Sequence, residues 1–360
     1  MKYRKIITVL FFYLFIFSAQ SQTLITFADS IRIAYQIPEL AYAVVSSDYV
    51  YELETLGVQR INTIYSANQK DRFHIGSNTK AITSFISALL VQENKIKWET
   101  KFLDLFPELK SNSKKAYFYI TLQDLLSFRG KIIPYTYTND KPSKEEITGD
   151  NAHQRYLLAK YFLSQKPMKA DKNGLTPSNA DYILAGLMLE KVSGKSYKEL
   201  VLDFGNSIGI HFDFDYPNVK DTLQPYGHDA DLNPIKPCDN YKLNWLLSAG
   251  NINISIDEYT KFIILQLIGL KENTALLPMK TFNKLLFEIP VFSFGWFNRI
   301  DAETNHHIAY NEGNAGAFIT QVEIIKEADR AYIIFANAST IKTKEGISVL
   351  LNELKNRYGK

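Results

Sequence analysis

A serine and a lysine stand three residues apart at Ser77 and Lys80, inside the stretch Phe73-His-Ile-Gly-Ser-Asn-Thr-Lys-Ala-Ile-Thr-Ser-Phe85. A glycine precedes the pair and an apolar run follows it. If a helix starts near Ser77, positions i and i+3 share a face and the two side chains point the same way. A serine hydroxyl is a weak nucleophile until a base takes its proton. A lysine can be that base when burial lowers its pKa. The first turn of a helix also leaves backbone N–H groups unpaired and carries positive partial charge. Both favour negative charge developing on an attacked carbonyl oxygen. The chemistry on offer is acyl transfer through a serine ester. The pair alone is equally the ordinary start of a buried helix, so the rest of the chain has to decide.

The elements that would position the pair can be read in order. Residues 23–38 have helical spacing and end at Pro38. Leu40–Ser46 and Tyr49–Gln59 read as a hairpin turning at Ser47-Asp48. A long apolar helix is expected over 77–92, closed by Asn94 and Lys95, with a connecting segment from Trp98 to Pro107. A short helix over Thr121–Ser127 has Thr121 as its cap and Asp124 in its first turn. Residues 131–150 read as a polar surface loop. Helices follow at 153–165, Asp181–Val192 (ending at Gly194), Ser196–Leu202 and Asp257–Ile268. Residues 206–245 read as irregular. Short strands are then expected at Val291–Ile300, His307–Tyr310, Ala317–Ile325 and Ala331–Asn337, and a closing helix at Thr343–Tyr358. With strands at both ends and helices between, the expected fold is mixed α/β (α+β). One antiparallel sheet is flanked by the terminal helices, and an all-helical lobe is inserted into it. The sheet lobe covers about 22–75 and 288–360 and the helical lobe about 76–287, as one domain over 22–360.

Several stretches carry a family likeness. Phe73 to Thr83 matches a nucleophile motif, and Ile120-Thr-Leu-Gln-Asp-Leu-Leu-Ser127 a helix after it. Pro177-Ser-Asn-Ala-Asp-Tyr-Ile-Leu-Ala-Gly-Leu-Met-Leu-Glu-Lys-Val-Ser-Gly-Lys-Ser-Tyr197 matches a second motif and its helix. Ser248 to Phe262 and Phe294-Gly-Trp296 fit later landmarks. In this order, over nearly the whole chain after its leader, the sequence resembles the serine β-lactamase and penicillin-binding protein superfamily, in particular the class C β-lactamase-like serine hydrolases. The resemblance implies a site between two lobes and acyl transfer without a bound cofactor. It makes Ser77 the nucleophile, Lys80 its base, and Asn179 the residue that orients Lys80 and the substrate. The N–H groups of Ser77 and Asn314 would hold the oxyanion, with Asn311 and Gly313 beside them. Two motif centres depart from the pattern. Where the family has a tyrosine this chain has Pro177, which has no proton to give. Where it has a histidine or lysine, this chain has Asn311, which supplies no charge. Ser178 and Tyr182 are hydroxyls near the first gap, Tyr182 reading as a packing residue. His306 or His307 could fill the second, although solvent-facing turn positions are the plainer reading. His74 and His228 read as packing residues. The rim of the pocket is expected from 131–150 and 206–245.

Composition bounds the alternatives. The chain has 360 residues, 46% hydrophobic and 22% charged, with apolar mass for a large core. Lys2, Arg4 and Lys5 followed by an apolar stretch over 6–17 and small residues at Ser18-Ala19 read as a signal peptide over 1–21. That predicts export to the periplasm or beyond, with no stable membrane insertion after cleavage. Those three cations account for the formal net charge of +3. The remainder offers no basic patch for nucleic acid. Cys238 is alone, so no intramolecular disulfide forms, and it reads as a small buried residue. No His pair has metal-ligand spacing. The expected partner is a small-molecule or peptide substrate.

Overall fold

The computed structural model describes residues 24–238 and 240–359, so the leader expected over 1–21 lies outside the described residues. The strands are β1 (Glu39–Val45), β2 (Val50–Gly57), β3 (Arg72–His74), β4 (Asp213–Phe214), β5 (Ile252–Ser255), β6 (Phe297–Ile300), β7 (His307–Ala315), β8 (Phe318–Ile325) and β9 (Arg330–Ala336). Six of them make one antiparallel sheet in the order β2-β1-β9-β8-β7-β6. Strands from the two ends of the chain therefore share a sheet. β1 reads Glu-Leu-Ala-Tyr-Ala-Val-Val and is buried throughout. A near-continuous apolar run is what a central strand covered on both faces requires.

The two faces separate by the period of two along each strand. Tyr42 and Val44 of β1 and Ile334 of β9 pack under helix α1 (24–34) and the last helix, through Leu24, Ala28, Leu350 and Leu354. Ala41, Ala43, Ile333 and Phe335 face the other way, into the core shared with the helical lobe. That lobe holds α2 (Thr79–Gln92), α3 (Asn151–Ser164), α4 (Asn179–Ser193), α5 (Tyr197–Ile208), α6 (Ile256–Lys271) and α7 (Met279–Phe287). The chain closes on α8 (Ile341–Tyr358). Helix α4 is buried without interruption from Ala180 to Leu189, as suits a helix apolar all round. Local chemistry sets the ends. Thr121 and Asp124 form a capping box on the short helix Leu122–Leu126, Ser196 and Glu199 form another on α5, and Gly194 closes α4 in the left-handed conformation.

Four expectations change. A second, small sheet, β3-β5-β4, joins the end of the first sheet-lobe segment to two stretches of the helical lobe, in strands of two to four residues. β7 runs on to Ala315, because pairing with β8 from Ile308↔Ile325 to Ala315↔Phe318 outweighs the poor strand propensity of Asn311-Glu-Gly-Asn314. The strand expected at 291–300 shrinks to β6, since Gly295 turns with φ +83 where an added Cβ would lie 2.6 Å from the Lys80 carbonyl oxygen. Cys238 is exposed rather than buried.

Candidate active site

β3 delivers the chain to the nucleophile turn. The edge bond Ile75 N–H to Ile252 carbonyl, 2.9 Å, extends the β3–β5 pairing. A single tight turn, Gly76–Asn78, then leads into α2. Gly76 has φ +48, a conformation L side chains rarely adopt. Its N–H donates to His74 Nδ1 at 3.3 Å, and His74 Nε2 lies 3.2 Å from Asn251 Oδ1. Burial holds the His74 pKa down at about 4, so the ring is neutral. His74 thus accepts at Nδ1 and donates at Nε2. It is a buried residue, as expected, and it also fixes the turn that carries Ser77.

The large sheet grips the same turn from the other side. Asn78 Nδ2 donates to Thr320 Oγ1 at 2.8 Å, and Thr320 Oγ1 donates to the Ile75 carbonyl at 3.1 Å. β6 pairs with β7 only as far as Tyr310, which leaves Asn311–Ala315 with an open edge. That edge lies against the turn. A Cβ on Gly313 would sit 1.9 Å from the Ile75 carbonyl oxygen, and one on Gly76 would sit 2.7 Å from the Asn314 nitrogen. Two glycines therefore permit the approach of strand to turn, and they bring the Asn314 backbone nitrogen beside the residue preceding Ser77.

Ser77 and Lys80 meet as their spacing requires. Lys80 Nζ donates to Ser77 Oγ at 2.9 Å and to the Ala249 carbonyl at 2.8 Å. Lys80 is 3% exposed, and its Nζ lies 5.5 Å from the centre of the Tyr182 ring. Burial alone pulls its pKa from 10.5 to about 7. Near neutral pH a large share of Lys80 is then the free amine. In that form it accepts the Ser77 proton instead of donating. The arrangement can activate a hydroxyl for attack on a carbonyl.

The remaining sequence-derived positions fall into two groups. Pro177, Asn179 and Asn311 line the same cleft as Ser77 and Lys80. Asn179 is not among the hydrogen-bond partners of Lys80, which are Ser77 Oγ and the Ala249 carbonyl; its own Nδ2 donates to the Tyr135 carbonyl at 2.8 Å. Asn311 is 2% exposed and its Nδ2 donates to the Gly295 carbonyl at 2.8 Å. Ser178 caps α4 and donates to the Ile133 carbonyl at 2.7 Å, so it is a structural residue. Tyr182 packs in α4 and donates to the Leu126 carbonyl at 2.6 Å. His306 and His307 lie at the far end of β7, with the His307 ring 2.7 Å from Glu327, and neither lines the cleft. His228 is buried and holds Ile61 N–H and the Asn337 carbonyl. Among the described residues no group of three His, Cys, Asp or Glu side chains is placed to hold a metal, and no helix is long and apolar enough to cross a membrane.

The cleft has a volume of about 220 Å³, and its rim differs from expectation. Residues 134–136 contribute, but none of the described residues of 206–245 does, and an aromatic wall of Phe128, Phe292 and Phe297 takes its place. Phe128 and Phe292 stack with centroids 4.1 Å apart, and Phe297 meets Phe292 edge-on at 4.7 Å. The inner part of the 131–150 loop is pinned rather than free. The carbonyls of Ile133, Tyr135 and Tyr137 accept in turn from Ser178, Asn179 and Lys242. Alternate carbonyls held by three donors make this segment a fixed wall. Sequence reasoning missed Ala249, because a backbone acceptor leaves no residue-type signal. It missed the wall because phenylalanines are spread all along the chain.

The Beta-lactamase family model matches residues 24–345. Among curated relatives, Protein flp of Staphylococcus aureus (strain MW2) is 21% identical over 311 residues, covering 84% of this chain. This chain spans 60% of that relative's length. Among solved structures, a class C beta lactamase from Rhodobacter sphaeroides superposes with a TM-score of 0.71 at 15% identity, covering 91% of this chain and 97% of that one. The octameric penicillin-binding protein homologue from Pyrococcus abyssi superposes with a TM-score of 0.68 at 16% identity, covering 88% of this chain and 73% of that one. The family match over nearly the whole described chain, on a fold these structures share, places this protein in the beta-lactamase family.

Proposed function

We propose that this protein is an exported serine hydrolase that acts by acyl transfer through Ser77 on an ester, amide or peptide. The observation that carries the reading is the 2.9 Å contact between Ser77 Oγ and a lysine whose pKa burial brings to about 7. The neutral Lys80 amine takes the Ser77 proton as Oγ bonds to the substrate carbonyl carbon. The carbonyl π electrons move onto oxygen, where the N–H groups of Ser77 and Asn314 stabilise the charge. Collapse expels the leaving group, which takes the proton from Lys80. Water then cleaves the Ser77 ester by the same route, so side chains and water suffice and no cofactor is required. Export rests on the leader composition over 1–21.

A second reading has its own support. Asn179 and Asn311 each donate from Nδ2 to a backbone carbonyl, and Pro177 supplies no proton. A cleft so arranged suits ligand binding with little turnover. The two readings separate on incubation of the protein with a fluorophosphonate and, separately, a fluorescent penicillin, followed by intact mass. The expected result is a single adduct on wild type and none on Ser77→Ala. Folded wild-type protein that takes neither reagent contradicts the hydrolase and leaves the binding protein.

A further inference from the structure

The charges around the cleft are unevenly disposed. Among the described residues two charged ones line it, Lys80 and Glu312. Burial draws the Lys80 pKa down to about 7, and Glu312 is the acidic residue of the cleft. The groups beside it are neutral. Asn179 and Asn311 each donate from Nδ2 to a backbone carbonyl, and the wall is aromatic.

Glu312 follows Asn311 on the open part of β7 and, unlike its neighbour, is exposed. Its cation partner is Lys344 of α8, at 3.4 Å, and both side chains are about half exposed. A pair this exposed adds little stability, so a cation on a ligand can displace the lysine. A second depression of about 510 Å³ shares Phe297, Asn311 and Glu312 with the cleft. The cations of that depression are already used. Arg299 and Lys355 both pair with the buried Glu323 carboxylate, at 3.2 and 2.5 Å. Glu312 is thus the carboxylate left for a ligand, on the lining that the two spaces share. Phe297, which lines both spaces, adds an aromatic surface of the kind that attracts cations.

We infer that the cleft selects acyl substrates bearing a cationic group, such as an ammonium or guanidinium, with Glu312 as its anchor, and works against substrates with a carboxylate in that place. This rests on the reading of Ser77 as the acyl acceptor.

Three nitrophenyl esters test it: that of trimethylammoniobutyrate, that of its uncharged dimethylhexanoate isostere, and the monoester of glutarate. In each, Ser77 displaces nitrophenolate and water releases the acid. The readout is the ratio of kcat/KM for the cationic ester to that for its isostere. Wild type is expected to favour the cation by about tenfold at low salt, with glutarate slowest and the preference shrinking as salt rises. Glu312→Gln brings the ratio to about one, and Lys344→Ala, which frees the carboxylate, raises it. Opposite shifts in two variants are not what misfolding produces. A ratio that is the same in wild type and both variants overturns the inference and leaves Ser77 chemistry intact. So does a wild type labelled at Ser77 by fluorophosphonate that the cationic ester neither acylates nor is turned over by. A wild type that hydrolyses no ester and takes no label contradicts the acyl-transfer reading, and this inference falls with it.

Discussion

Inside the cleft Lys80 has a hydroxyl and a carbonyl for partners and no carboxylate to hold its proton. A lysine in that setting is a base that works by losing charge to burial. An arginine cannot do this, since its guanidinium stays protonated. Lys80→Arg is therefore expected to cut fluorophosphonate labelling of Ser77 by about a hundredfold or more, the usual share of a general base. Retention of the wild-type rate would show that the proton leaves by another route. Ser77 and Lys80 were legible in the sequence because a spacing of three is a local relation that a helix start converts directly into contact. Ala249, which completes the Lys80 hydrogen bonds from 169 residues away, was not. Asn179 shows the opposite failure. Its residue type suited a partner for Lys80, but in the fold Lys80 pairs with Ser77 and Ala249, and the Asn179 Nδ2 is held by the Tyr135 carbonyl.

At the scale of elements, the site is an approach of the open edge of β7 to the turn between β3 and α2. Gly313 controls the approach. An added methyl would lie 1.9 Å from the Ile75 carbonyl oxygen and 2.5 Å from Thr320 Oγ1, and the first of these is backbone. Gly313→Ala is expected to push β7 away from the turn. Stability falls by about 1–3 kcal/mol, the usual cost of overpacking. Ser77 labelling falls at least about tenfold, because the Asn314 N–H moves with the strand. Urea unfolding and the labelling rate measure the two effects. Wild-type values for both would mean that the strand does not set the site. The sequence carried the helices of this region because caps and apolar periodicity are local. It ended β7 at Tyr310, because the residues beyond are strand-poor and only the partner strand β8 makes them extend.

At the scale of the molecule, the β1 strand is tied to the nucleophile strand by buried acids. Glu39 begins β1 and Asp71 immediately precedes β3, and both are buried. Gln59 Nε2 donates to Asp71 Oδ1 at 2.6 Å, and Asn337 Oδ1 accepts from the Glu39 N–H at 2.8 Å. Burial first, and the Asp71 charge second, hold the Glu39 pKa well above its usual 4.5. The folded state therefore keeps a proton that the unfolded chain releases near pH 4.5. Stability from this group is full below that pH and is lost as pH rises toward the raised folded pKa. Glu39→Gln removes the loss. Its Tm is expected to match wild type at about pH 4 and to exceed it by a few degrees at about pH 8. An equal difference at both pH values would contradict the account. The large sheet was legible because strong strands at both ends of the chain have to find one another to bury their faces. The small sheet was not, since strands of two to four residues leave no periodicity to read.

The central claim is that Lys80, its pKa lowered by burial, activates Ser77. The most direct measurement is the second-order rate of Ser77 labelling by an uncharged fluorophosphonate between about pH 5 and pH 9. The account predicts a rate that climbs with the fraction of free amine, bends at the Lys80 pKa of about 7, and is level above it. A rate independent of pH, or one still climbing at the upper end as for a lysine near 10.5, would contradict it.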